Sequence, residues 1–391
     1  VVVVSCAGET PVSEKNAKMN NGPQVKIERG ECIALFAYDV GMAIDLDACE
    51  RILAEESKRG GLRHKRKAPP YFEYRPLPVR VTRRAQSFPI AQFRSEASVE
   101  VTLFDFGAAQ LSYCIPFSGG LEEVLQLSRA LYDNPLLLSD SRRQVEEIVA
   151  IVRDAIVRPR VSDFVEDYFI YEILSICGAQ TPESFLTTQR GIMAQILRAE
   201  DFPLSSQEIA DALSVCMSCG PNDLTIIDWA SAIVFDENPE EVRTVLEFAN
   251  VELLEMRCMD QELDDGLEQA YRTLTGPPKK WWQQLFSVDH EIERVAQLQA
   301  DCAILFEGVN NALKLLGDQW LARVYVATSR RFHLPDWDAS ILRKLSALES
   351  IYQKLSDRAA TRRLEALEWI IIILIAISLI PLVPSLLAWF K

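Results

Sequence analysis

The stretch that most constrains this chain is its last apolar run. Residues 369–390 read WIIIILIAISLIPLVPSLLAWF and hold no charged side chain. A helix needs roughly 20 such residues to cross the hydrocarbon of a bilayer. Trp369 and Trp389 stand near the two ends of the run, where amphipathic rings favour the headgroup level. Pro381 and Pro384 would damage a helix in water, but spanning helices tolerate proline more often. A core helix is seldom apolar on every face, so the run predicts a C-terminal membrane anchor. Lys354, Arg358, Arg362 and Arg363 precede it and only Lys391 follows. Positive charge stays on the cytoplasmic side, which predicts a single-pass protein with its body in the cytoplasm or an equivalent compartment.

The remainder has the composition of a folded body: 49% of the 391 residues are hydrophobic and 25% charged,. A net charge of −15 argues against a surface that binds nucleic acid as a whole, while leaving room for a local basic patch. Nine scattered cysteines predict free thiols in a reducing compartment. The N-terminal VVVVSCAGET lacks a basic region and makes a poor secretion signal. Glu9 and Glu14 precede the first arginine, Arg29, which does not suit a mitochondrial presequence,. The three histidines, His64, His290 and His333, form no ligand-spaced pair, so neither metal nor cofactor is expected.

Five segments follow from the pattern: a flexible tail (1–24), a small α/β subdomain (25–120), a helical subdomain (121–276), a helical hairpin or stalk (280–366) and the anchor (367–391). In the second, residues 31–37 (ECIALFA) have strand length, and Asp45 caps a helix running to about Ser57,. Val99, Val101 and Leu103 alternate, and after Gly107 so do Leu111, Tyr113, Ile115 and Phe117; this predicts a hairpin with one buried face,. Beyond Gly120 the pattern reads as helices throughout, including 163–177, which is apolar on more than one face. Thr181-Pro182, Ser205 to Glu208 and Asn238-Pro239 mark helix starts,. Leu334-Pro335 breaks the hairpin, and its second helix starts near Asp338. The fold class predicted is α+β: a small N-terminal antiparallel sheet, a larger all-helical part, a long helical hairpin and one transmembrane helix.

Candidate chemistry is sparse. Asp105-Phe106-Gly107 spells a kinase metal triplet without its companion motifs and reads as a hairpin turn,. Cys216 and Cys219 have metal or redox spacing, but no second pair accompanies them,. Ser118, Gly119 and Gly120 lie between a strand and a helix, where backbone N–H groups can meet a phosphate; the lysine of a phosphate loop is absent. The best candidate is the stretch 58–84. There Arg63, Lys65, Arg66, Lys67, Arg75, Arg83 and Arg84 stand among Tyr71, Phe72 and Tyr74. Such cations contact phosphates of RNA or anionic lipid, and the rings stack on bases. No small-molecule substrate is identified.

Several blocks carry a resemblance: residues 35–41 (LFAYDVG), Asp105-Phe106-Gly107, Asp228-Trp229 through Phe235-Asp236, Leu253 to Arg257, Gly317 to Trp320, Arg331-Phe332-His333-Leu334 and Leu367-Glu368-Trp369. Together they resemble the required-for-meiotic-nuclear-division or Sad1-interacting-factor (YagE-like) family, a domain of unknown function with a C-terminal membrane anchor. The resemblance implies attachment to the bacterial inner membrane or the mitochondrial inner membrane and no agreed enzymatic activity. The function expected is a membrane-tethered scaffold or adaptor that self-associates and holds cytoplasmic partners, possible ribosome- or RNA-associated ones among them, at the bilayer. The alternatives are an enzyme acting on nucleotide or RNA, and a structural oligomer that organises the membrane.

Overall fold

The run at 31–37 becomes the middle of the longest strand, β1 (Lys26–Asp39). The computed structural model describes residues 26–58, 62–63, 77–178, 181–275 and 319–379, with single helical positions at 296, 300 and 303. β1 is followed by β2 (Ala43–Ile44), α1 (Leu46–Lys58), β3 (Leu62–Arg63), β4 (Val79–Arg84), β5 (Pro89–Ile90), β6 (Phe93–Arg94), β7 (Ser98–Leu103) and β8 (Ala108–Gly120). Then come α2 (Leu121–Leu131), α3 (Pro135–Ile151), β9 (Ile156–Val157), β10 (Glu166–Ile176), α4 (Pro182–Arg198) and α5 (Ser206–Ala212). β11 (Val215–Met217), β12 (Leu224–Ile227) and β13 (Ser231–Phe235) complete the strands. The chain continues through α6 (Glu240–Thr275), α7 (Gln319–Arg331) and α8 (Leu334–Leu379).

Nine of these strands form one sheet in the order β11-β12-β13-β10-β1-β8-β7-β4-β3. β1 pairs antiparallel with β8 on one side and β10 on the other. β10 and β13 run parallel, with Phe169 opposite Ser231 and Ile173 opposite Phe235. Side chains alternate across β1. Cys32, Ala34, Phe36 and Tyr38 enter a core shared with α1 to α4, while Ile33, Leu35 and Ala37 enter a second core under α6, α7 and α8. The sheet is thus the middle of three layers. A strand covered on both faces reads as a continuous apolar run, because each side of the pleat needs its own apolar set.

That geometry corrects the predicted fold class. The sheet is large and mixed, and it continues well past Gly120. Residues 163–177, read as a central helix, hold β10, and β11 to β13 lie in what reads as helical sequence. Tyr168 and Ile170 face one core, and Phe169, Tyr171 and Ile173 the other. Periodicity does not separate a doubly buried strand from a buried helix segment; aromatic and β-branched enrichment does.

The anchor is corrected as well. Among the described residues no helix is long and apolar enough to cross a membrane. Residues 369–379 are the end of α8, with Trp369 and Ile370 to Ile375 exposed. Within the described residues the uncharged part of α8 covers 369–379, about 16 Å at 1.5 Å per residue, against roughly 30 Å of hydrocarbon. An 18-residue window drawn back from Leu379 takes in Arg362, Arg363, Glu365 and Glu368. Residues 380–391, with Trp389, lie outside the described residues. The membrane-anchored, single-pass location and the bilayer as partner are therefore not supported.

Charged groups lie deep beneath α6. Arg243 donates to both carboxylate oxygens of Glu172 on β10, and Arg80 on β4 donates to Glu247 at 2.7 Å. Glu252 accepts from the Tyr325 hydroxyl of α7 at 2.6 Å, and burial pushes its carboxyl up to about 8 from an ordinary 4.5. A raised acid is protonated in the folded chain but ionised in the unfolded one between those two values. Its stabilisation is full below pH 4.5 and is lost as pH rises towards 8. The urea midpoint should therefore fall over that range. Glu252→Gln, which keeps an acceptor for Tyr325, should lessen the fall; an unchanged slope would rule out the assignment.

Candidate functional site

Three helices end at one cavity of about 690 Å³. After α2 comes Asp133 (φ +49°), after α4 Ala199 (φ +53°) and after α7 His333 (φ +56°), and all three line the cavity. The left-handed region costs a residue with a Cβ about 1–3 kcal/mol unless its surroundings hold it there. Helices end this way because such a residue lets its own N–H reach back to an orphan carbonyl: Ala199 bonds Ile196 and His333 bonds Arg330. The carboxyl ends of three helices bring partial negative charge to one place. The amino end of α8, with Asp336 in its first turn, closes the remaining side.

One wall is braced by Asp228, which is 0% exposed. It accepts from Arg198 Nε at 3.1 Å and Arg331 Nε at 2.9 Å, and from the Trp229 N–H at 2.8 Å. Both arginines also reach Asp211 on α5, Arg198 at 2.5 Å and Arg331 at 2.9 Å. The network ties α4, α5, α7 and the β12–β13 turn together. It also commits both guanidinium groups. Arg257 is committed too, to Glu166 at 2.6 Å and to the face of Phe164.

What remains in the cavity is acidic and aromatic. Among the described residues no ion pair engages Asp133 or Asp167. Burial holds the Asp167 carboxyl above its ordinary range, and the nearby charge of Asp133 adds to the effect. Burial likewise pushes Glu166 up to about 7 against the pull of Arg257. Tyr132 and Trp229 are 59% and 57% exposed, and Trp337 joins them in the lining. Acids beside exposed ring faces make a receptor for a cation that carries an apolar stem.

The residues singled out from sequence lie elsewhere. Lys65, Arg66, Lys67 and Arg75 fall outside the described residues, and Arg63 is described only as backbone in β3. Arg83 donates to the Gln144 carbonyl and side chain at 3.0 and 2.7 Å and to Glu147 at 2.8 Å. Arg84 is exposed at the end of β4. Ser118, Gly119 and Gly120 do close β8 and lead into α2. The Gly120 N–H donates to the Glu123 carboxylate, and a Cβ on Gly119 (φ +123°) would run into that same group. The amino end of α2 is met by an anion of its own chain, which disfavours a phosphate there. Cys216 is on β11 and Cys219 beyond it, both as free thiols. Asp105-Phe106-Gly107 makes the β7–β8 turn, as predicted.

Arg198 and Asp211 carry no local sequence signal. Asp228-Trp229 and Arg331-Phe332-His333 stand out only as blocks of the resemblance, and the structure brings both to this cavity.

Residues 29–241 match the family described as uncharacterized protein MJ0711, N-terminal domain. Over 193 residues the chain is 23% identical to the uncharacterized protein MJ0711 of Methanocaldococcus jannaschii, a match covering 48% of this chain and 57% of that protein. No solved structure matches. The matched segment holds the sheet from Arg29 onward and ends at the start of α6. Asp133, Asp167, Arg198 and Asp228 fall within it, and Arg257, Arg331, His333 and Asp336 lie beyond.

Proposed function

This chain belongs to the family of the MJ0711 N-terminal domain, and from that premise we propose that it is an adaptor that grips a basic segment of a partner protein in the cavity between α2, α4 and α7. The observation that carries the reading is the meeting of uncommitted Asp133 and Asp167 with three helix carboxyl ends beside Tyr132 and Trp229. A lysine or arginine side chain supplies both the charge and the stem that such a lining takes. The chain's net charge of −15 favours encounter with basic partners,. Finer kinship with the required-for-meiotic-nuclear-division family belongs to the same proposal. Three of the blocks behind it contribute to this cavity, and that family is read as scaffolds.

Titration calorimetry with a lysine- and arginine-rich peptide tests the proposal. The full chain should bind it, more weakly as salt rises. The double variant Asp133→Asn, Asp167→Asn should lose about tenfold or more in affinity, on the order of 1.4 kcal/mol, and Trp229→Ala a similar factor. Equal binding of an acidic peptide of the same length, or unchanged affinity in the double variant, would overturn it.

A further inference from the structure

A second cavity, of about 410 Å³, opens where β1 ends. Asp39, the last residue of that strand, lines it together with Met42, the segment 158–160, and Glu255, Cys258, Met259 and Glu262 of α6. The α6 residues stand at helical spacings of three, four and seven, so they share one face. Three carboxylates therefore look into one space. Glu255 is 2% exposed, and its Oε1 has no hydrogen-bond partner. A buried polar atom left unmatched costs about 1–3 kcal/mol, so this position is short of a donor.

The cation now present is Arg160. Its Nη2 lies 3.1 Å from Glu262 Oε1 and 3.6 Å from Asp39 Oδ2, while its side chain is 66% exposed. It reaches in from outside and serves two acids but not Glu255. Arg158, the other base in the lining, has φ +53°.

We propose that this cavity binds the ammonium group of an aliphatic amine, with the nitrogen among Asp39, Glu255 and Glu262 and the methylene stem along Met42, Met259 and Pro159. An ammonium carries three donors and no acceptor, which suits three acceptor side chains. Methionine adapts to an unbranched chain. Among the described residues no cluster of His, Cys, Asp or Glu is placed to hold a metal ion. Arg160 is then a tethered competitor that the ligand displaces.

Proton release follows. Burial, then the charges of Asp39 and Glu262, hold the Glu255 carboxyl well above its ordinary range. Burial pushes Asp39 up to about 6, against its bond from the Gly41 N–H and the charge of Arg160. The charged or titratable groups facing Glu255 are thus Asp39, Glu262, Arg158, Arg160 and the Cys258 thiol. A bound cation favours ionised acids, so binding expels protons and strengthens as pH rises through about 6,.

This inference does not depend on the adaptor reading, and its test separates the two. Titration calorimetry on the full chain uses 1,4-diaminobutane, the neutral butane-1,4-diol, and a short peptide with one lysine, each in buffers of different ionisation heat. The diamine should bind and release protons, and the diol should not bind. Glu255→Gln should weaken the diamine about tenfold, whereas Arg160→Ala should tighten it several-fold, a gain that misfolding does not produce. Because the first cavity is itself read as taking a cation with an apolar stem, the titrations are repeated in the Asp133→Asn, Asp167→Asn background, where the diamine should still bind and release protons. In that background the lysine peptide distinguishes the sources: binding by peptide as well as diamine, both weakened by Glu255→Gln, assigns the site to a protein side chain, and binding by diamine alone to a free amine. No heat from either amine at millimolar concentration would overturn the proposal. So would Glu255→Gln binding as wild type, loss confined to the first-cavity variant, or preference for magnesium or calcium chloride.

Discussion

Asp228→Ala should destabilise the fold by about 3–5 kcal/mol, the range for breaking a buried ion pair from one side. The carboxylate is the shared acceptor of Arg198, Arg331 and the Trp229 N–H. Both arginines keep Asp211, which lies on the exposed side of the network, so the loss belongs at the lower end of the range. The alanine leaves Arg198 Nε and Arg331 Nε without their acceptor. Asp228→Asn retains size and one acceptor oxygen but not the charge, and should recover only part of the loss. The measurement is the urea midpoint at constant slope, which isolates stability from changes in compactness. A loss below about 1 kcal/mol, no more than an exposed pair is worth, would mean that the network does not brace the cavity. Trp229 emission should change in both variants, because its backbone is held by the same carboxylate.

The second large effect is expected at Gly107. This residue turns the β7–β8 hairpin with φ +102°, and its carbonyl accepts from the Val40 N–H at 2.9 Å. A Cβ there would fall inside the contact radius of the Gly41 carbonyl oxygen. A side-chain end can swing away from such a clash, but two backbone segments have to part. Gly107→Ala adds that displacement to the left-handed strain, and should cost about 4 kcal/mol or more, in the exceptional tail of single substitutions. Gly178 also has positive φ (+95°), with open space where its Cβ would be. Gly178→Ala therefore carries the strain without the clash and should cost about 1–2 kcal/mol. Equal losses at the two sites would refute the steric argument.

What the sequence discloses is mostly local. Asp45 accepts from the Ala48 N–H, Thr181 from Ser184 and Ser205 from Glu208, and α6 begins just after Asn238-Pro239, because caps are built within one turn. The β7–β8 hairpin is legible for the same reason. α8, expected from about Asp338, starts at Leu334, with Pro335 in its first turn, where a missing N–H costs nothing. The parallel pairing of β10 with β13 is not legible: α4, α5, β11 and β12 intervene, and both strands are apolar on two faces. The first cavity was hidden for a related reason. Arg331 and Asp228 are 103 positions apart, and neither has a neighbour that announces the other. Glu208 shows how a local reading misleads. It looks like the returning half of a capping box, yet its carboxylate is spent on Arg198.

The ion pairs beneath α6 act as a keyed connector. The helix presents a positive pin at Arg243 and, one turn on, a negative pin at Glu247; the sheet offers the opposite sockets, Glu172 on β10 and Arg80 on β4. Slide the helix by a turn, or reverse it, and like charge meets like in a place without water. Apolar side chains alone would tolerate several seatings of so long a helix, whereas these four groups admit one. The key also restricts heredity: any one of the four can change its sign only if its counterpart changes in step, so the seating of α6 is inherited as two indivisible pairs.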